Sequence, residues 1–176
     1  MRRMLATANT FRRALPALIV ATGALVAGCA DDAAPARMEV RIGETRFDCK
    51  VSLDDATRQR GLGGVASLGP NEGMIFAFPD PDVRNFFMRD CVMDIDIAFI
   101  DPFGFVTATY TMPKEDLRRE GEGESEQDYL LRLKRYPSLA PAQFALEVAP
   151  GTLAPLGVRR GTKVEFDRDT LKRHAR

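Results

Sequence analysis

The stretch Ile95-Asp96-Ile97-Ala98-Phe99-Ile100-Asp101-Pro102-Phe103-Gly104-Phe105-Val106-Thr107-Ala108-Thr109-Tyr110 decides the fold. Two six-residue runs rich in β-branched and aromatic side chains flank Asp-Pro-Phe-Gly, a tetrapeptide suited to a hairpin turn. The same grammar extends in both directions. Upstream, Met74-Ile75-Phe76-Ala77-Phe78 follows the turn cluster Pro70-Asn71-Glu72-Gly73 and is broken by Pro79-Asp80-Pro81-Asp82, after which Phe86-Phe87-Met88 forms another short run. Met38 to Ile42 and Phe47 to Val51 alternate apolar and polar around a Gly43-Glu44 turn, which sets Phe47, Cys49 and Val51 on one face. Downstream, Phe144 to Val148 and Lys163 to Phe166 close the set. About eight short strands predict a single all-β domain, a sandwich or barrel, with two or three short helices. One helix is expected from the Ser52/Asp55 capping spacing to Arg60, stopped by Gly61. A second is expected from Ser125, with Tyr129, Leu130, Leu133 and Tyr136 on one stripe and Pro137 at its end. A helical turn is allowed around Leu153 to Gly157.

Composition narrows the function classes. The chain has 176 residues, 45% apolar and 28% charged, the balance of one globular domain. Its one histidine, His174, stands near the C-terminus. That disfavours histidine-ligated zinc, triad hydrolases and histidine-ligated haem. There is no Walker loop, dinucleotide fingerprint or paired CxxC, and no cofactor is expected. With 25 basic and 25 acidic residues, no bulk field points to nucleic acid.

Residues 1–28 read as an export leader. Arg2, Arg3, Arg12 and Arg13 precede an apolar run from Ala14 to Gly28, short for a spanning helix, which needs about 20 residues. The run ends in Val26-Ala27-Gly28-Cys29, which resembles the bacterial lipobox. Cleavage there would expose Cys29 for acylation and anchor the domain in a membrane on the extracytoplasmic side, through a tether over residues 29–37. The mature chain would carry 21 basic and 25 acidic residues, a mean charge that gains little from anionic headgroups. The domain is expected over 38–167, residues 113–136 read as a likely insertion with a short helix, and 168–176 read as a charged tail.

Several blocks in order resemble a known family. They are Arg60-Gly61-Leu62, Glu72-Gly73-Met74-Ile75-Phe76-Ala77-Phe78, Phe86-Phe87-Met88-Arg89-Asp90 and Asp96-Ile97-Ala98-Phe99-Ile100-Asp101. Pro141-Ala142-Gln143-Phe144-Ala145-Leu146-Glu147, Gly151-Thr152, Leu156-Gly157 and Gly161 follow. This order is similar to domain of unknown function family 192, small bacterial and archaeal proteins that are often exported or membrane-linked. The resemblance implies a compact all-β fold of jelly-roll type and no established activity. The central block departs from the family pattern, with Phe87 for Trp, Arg89 for Lys, Asp90 for Asn, Cys91 for Thr and Asp94 for Pro.

Candidate chemistry is sparse. Asp90, Asp94 and Asp96 fall within seven residues and would suit a hard divalent ion or an acid and base pair, or simply a solvated face and a capped turn. Arg89 is the nearest cation for binding. Asp96, on an otherwise apolar strand, is expected to be buried and bonded to Arg89 or to backbone N–H groups at the turn. Cys49 and Cys91 would be buried thiols, a disulfide, or in the case of Cys91 a nucleophile with only Arg89 nearby. Phe76, Phe78, Phe86, Phe87 and Met88 would line a ligand pocket or fill the core. The expected function is a non-catalytic, lipid-anchored binding or accessory module of the cell envelope, partnered by an envelope protein or small ligand. The alternative is a hydrolase or transferase that uses the aspartate cluster.

Overall fold

Burial on both faces organises the central strands. The structure, a computed structural model, describes residues 33–176. The leader, Cys29 and the first part of the tether lie outside the described residues. Strands β1 (Arg37–Ile42), β2 (Thr45–Ser52), β3 (Glu72–Asp82), β5 (Ile95–Ile100), β6 (Val106–Met112) and β8 (Ala142–Val148) form one sheet in the order β1-β2-β3-β8-β5-β6. A small ribbon pairs β4 (Asn85–Phe86) with β7 (Tyr136–Pro137). All neighbours in the large sheet are antiparallel except β2 and β3, whose parallel pairing requires a crossover. Helix α1 (Asp55–Arg60) lies in that crossover.

The sheet has two apolar faces. One gathers Val40, Phe47, Cys49, Ile75, Leu146 and Val148 beneath the C-terminal segment, which contributes Leu153, Val158, Val164 and Leu171. The other gathers Met74, Phe76, Ile97 and Phe99 beneath Leu62, Met88, Cys91 and Tyr136. Every residue of β5 is therefore buried, where an exposed antiparallel strand would alternate. The all-β expectation holds in the form of a sandwich-like, open sheet with three short α-helices. It does not close as a barrel, although residues 163–165 bridge both edges, through Arg41 to Glu165 and Phe105 to Lys163. These single bridges cover edges that would otherwise present unpaired backbone.

Several local expectations change. β3 runs on through Pro79 and Pro81 to Asp82, with a register shift after Ala77 that lets the prolines escape the regular ladder. α1 is capped by Asp54, not Ser52: the Asp54 carboxylate accepts the Thr57 N–H at 2.9 Å, while Ser52 ends β2 and donates its hydroxyl to Thr57 Oγ1 at 3.1 Å. α2 (Glu126–Arg132) is capped by Ser125 as expected but stops before Leu133, and Tyr136-Pro137 is strand. Phe86-Phe87-Met88 contributes only Phe86 to a strand, and Lys163 to Phe166 forms bridges only. The charged tail is helix α3 (Arg168–His174), and its Leu171 is fully buried, so the tail belongs to the core. Truncating such a side chain typically costs about 2–5 kcal/mol. Gly73 is required by close approach: a Cβ there would meet the Glu147 carbonyl oxygen at 2.6 Å.

Candidate functional site

Strand β8 alternates across the sheet, sending Leu146 and Val148 to one face and Ala145 and Glu147 to the other. Glu147 pairs in register with Met74 on β3 and Ile97 on β5, so its carboxyl lies in the middle of an apolar face. The residue is 5% exposed, and its Oε2 is buried with no hydrogen-bond partner. No ion pair reaches it among the described residues. Burial in these surroundings penalises the charged form and pushes the carboxyl up to about 8. At neutral pH Glu147 is thus mostly a neutral acid, able to donate a hydrogen bond.

Glu147 lines a cavity of about 240 Å³. Phe76, Phe78, Phe86 and Phe87 supply aromatic walls, and Cys91 lines the same cavity. The Phe86 ring stands edge-on to Phe76 and Phe99 at 5.2 Å each, which fixes the wall. The rim comes from α1 and the turn after it, including Arg58 and Arg60, and from Arg89. Arg58 is committed: its guanidinium donates to the Ala77 carbonyl at 2.8 Å and to Asp55 and the Arg176 carbonyl at 2.6 Å each. Arg60 makes no ion pair among the described residues. A shallower depression of about 340 Å³ adjoins the rim, lined by Ala56, Gln59, Arg60, Gly63, Arg89 and Asp90.

The aspartates do not converge. Asp96 is 2% exposed, as expected, and lies on the opposite face of the sheet from Glu147, in register with Val148. Its Oδ1 accepts the Thr111 hydroxyl at 2.7 Å and its Oδ2 accepts the Leu153 N–H at 3.0 Å. Backbone and hydroxyl donors hold it; Arg89 does not, because Arg89 lies on the other face and pairs with Glu126 at 2.7 Å and Asp90 at 3.4 Å. Asp94 Oδ1 accepts the Lys114 N–H at 2.9 Å. Asp90 takes a left-handed φ of 55°, its N–H donating to Tyr129 Oη at 2.8 Å and its Oδ1 accepting the Tyr129 hydroxyl at 3.3 Å. No group of three or more metal-ligating side chains occurs among the described residues.

The two cysteines are free and buried on opposite faces of the sheet, Cys49 with Phe47 and Ile75, Cys91 with Met88 and Phe76. A disulfide would have to pass through the sheet, so that pairing is corrected to two separate thiols. Burial pushes each thiol up to about 12, leaving the protonated, poorly nucleophilic form at neutral pH.

Phe87, Arg89, Asp90 and Asp94 all touch residues 113–136. Arg135 stacks over the Phe87 ring at 4.1 Å, Glu126 pairs with Arg89, Tyr129 holds Asp90 and Lys114 donates to Asp94. Cys91, in the same loop, lines the cavity. Residues 113–136 and the loop at 87–94 therefore form one packed unit beside the cavity mouth.

The sequence matches domain of unknown function family 192, described as "Uncharacterized ACR, COG1430", over residues 38–166. The chain belongs to this family. Two solved structures share the fold of this family 192 member. One, a candidate transcription regulator from Sinorhizobium meliloti, is 22% identical with a TM-score of 0.61, covering 77% of this chain and 98% of its own. The other, a protein of unknown function from Novosphingobium aromaticivorans, is 26% identical with a TM-score of 0.57, covering 73% of this chain and 83% of its own. No curated protein matches the chain.

Sequence reading missed Glu147 as a site residue because one acid in an apolar strand reads as a solvent-facing position. The signal was its setting: Phe144-Ala145-Leu146-Glu147-Val148 is otherwise wholly apolar. An acid inside a run buried on both faces has no solvent to face.

Proposed function

We propose that this family 192 protein is a non-catalytic binding module of the cell envelope that holds a small, partly apolar ligand over Glu147. The observation that carries the reading is the unpartnered, buried Glu147 Oε2 on the floor of an aromatic-walled cavity. A buried polar atom without a partner costs free energy, which a ligand's polar group would recover. The neutral carboxyl donates to an acceptor such as a carbonyl, ether or hydroxyl oxygen. Arg60 at the rim, which makes no ion pair among the described residues, favours a neutral or anionic ligand over a cation, and the volume suits a molecule at or below the small end of common ligand sites. Membrane attachment through an acylated Cys29 fits the leader and its lipobox-like end.

The hydrolase or transferase alternative calls for Asp90, Asp94 and Asp96 to act together, and their carboxyl groups are engaged in separate places. Its direct check is calorimetry of the protein with Ca²⁺, Mg²⁺ and Mn²⁺, where measurable binding lost in Asp94→Ala would restore the metal route. The binding reading is tested by ligand-observed NMR with small aromatic and aliphatic alcohols, esters and carboxylates. Saturable binding that is lost in Phe87→Ala and altered in Glu147→Gln supports it. Indifference of every binder to both variants would overturn it. For the anchor, mass spectrometry of the membrane fraction should find a mature N-terminus at a diacylated Cys29; a soluble mature form beginning elsewhere would refute it.

A further inference from the structure

The charge of the domain is segregated in a way its mean conceals. Residues 159–176 carry seven basic and three acidic residues, whereas residues 33–158 carry fourteen basic and twenty acidic. Two of the three acids in the basic segment are occupied, Glu165 by Arg41 and Asp167 as the cap of α3. Arg159, Arg160, Lys163, Arg168 and Lys172 make no ion pair among the described residues.

Four of these cations, Arg160, Lys163, Arg168 and Lys172, flank an exposed aromatic tip. In the β5–β6 turn, Phe103 is 70% exposed and Phe105 42%. The turn is held in shape from within: Asp101 Oδ1 accepts the Phe103 and Phe105 N–H groups at 2.8 and 2.9 Å, and Gly104 takes a φ of 90°. It is also held from the side. Lys163 donates to the Phe103 carbonyl at 2.6 Å, Lys172 to the Pro102 carbonyl at 3.0 Å, and Arg168 to the Phe103 carbonyl. The Lys163 ammonium also lies 4.3 Å over the Phe105 ring, and Arg160 lines the same shallow depression as Phe103 and Phe105. The rings project because a fixed turn presents them, with positive charge on the flanks.

We propose that this tip and its cations form a docking surface for an anionic lipid bilayer. The Phe103 and Phe105 rings would enter the headgroup boundary while the Arg160, Lys163 and Arg168 side chains, with Arg159 next along the chain, meet lipid phosphates. Apolar area and cationic charge on one patch are the two terms that drive interfacial binding. The surface is separate from the cavity, and its action does not require acylation of Cys29.

The chain contains no tryptophan, so Phe103→Trp gives a unique fluorophore at the tip. In the full chain with this reporter, phosphatidylcholine vesicles containing phosphatidylglycerol should shift the emission to the blue and permit quenching by brominated acyl chains. Phosphatidylcholine alone should leave it nearly unmoved. Charge reversal by Arg159→Glu with Arg160→Glu should weaken the response about tenfold or more, with an unchanged melting temperature. A Leu131→Trp reporter on α2, at a site 71% exposed, should not respond to either vesicle. This pair separates tip docking from any binding by the leader, and Phe105→Trp serves as a second reporter. A reporter at 103 and 105 that stays unmoved on anionic vesicles overturns the proposal. So does an equal response to neutral vesicles, or one reproduced by soluble glycerol phosphate, which would indicate a free-anion site.

Discussion

Asp96 and Glu147 are both acids on fully buried central strands, one on each face of the same sheet. Asp96 meets two donors, the Thr111 hydroxyl and the Leu153 N–H. Glu147 meets none at its Oε2 and borders a cavity instead. The Asp96 carboxylate thus ties β5 to β6 and to the turn after β8, work that belongs to the fold. The Glu147 carboxyl does nothing for the fold that an apolar side chain would not do better. A group retained at a cost to stability, and facing empty space, is the one to associate with binding.

The largest expected consequence is in the pH dependence of stability. Glu147 is pushed up from 4.5 to about 8 by burial. Between those values the unfolded chain has released this proton while the folded chain still holds it, so stability falls as pH rises. At ~1.4 kcal/mol per unit the loss approaches about 4–5 kcal/mol by pH 9. Denaturant unfolding of Glu147→Gln should lack this slope and make the variant the more stable protein at pH 9. A wild-type and variant difference that does not change with pH would break the contrast between the two acids.

Asp96→Ala comes next. It strands two donors at once, and a loss of about 2–4 kcal/mol is expected by urea unfolding at neutral pH. Asp96→Asn should recover part of that, since its single carbonyl oxygen can accept one of the two bonds well. A neutral Asp96→Ala would show that the two faces are not distinguished by hydrogen bonding.

Much of the sheet was legible because β5, β6, β8 and the core of β3 are short runs of β-branched and aromatic residues between turn residues. The tail was not, because Leu171 is a single apolar residue among Arg168, Asp169, Lys172 and Arg173, and its burial depends on the groove that the sheet offers. The second helix was read too long for a related reason. Leu133 and Tyr136 are buried as the stripe requires, but Tyr136 is buried as a strand residue paired with Phe86. In the site, proximity in sequence misled: Asp90, Asp94 and Asp96 are close along the chain, yet a turn and the pleat distribute them over a loop and the far face. The buried acid of the cavity comes from β8, about fifty residues later, and the other acid that lines it, Asp55, from α1.

A smaller effect concerns the loop at 89–94 and its contacts with residues 113–136. A double-mutant cycle on Arg89 and Glu126, which pair at 2.7 Å with partly exposed side chains, should give a coupling of about 0.3–1 kcal/mol in thermal unfolding. Tyr129→Phe, which removes the bonds to Asp90, should cost about 1 kcal/mol. Zero coupling in the cycle together with an unchanged stability in Tyr129→Phe would mean that residues 113–136 and the loop at 89–94 touch without supporting one another. Neither Cys49 nor Cys91 should react with a thiol reagent in the folded protein, since both thiols are held near 12.

The protonation state of Glu147 itself is the most direct test. Infrared difference spectra across a pH titration, with Glu147→Gln as the blank, isolate the stretch of its neutral carboxyl. That band should persist at neutral pH and disappear with a midpoint near 8. A midpoint near the ordinary 4.5 would contradict the account, because Glu147 would then be a solvated carboxylate and the cavity would have no neutral acid at its floor.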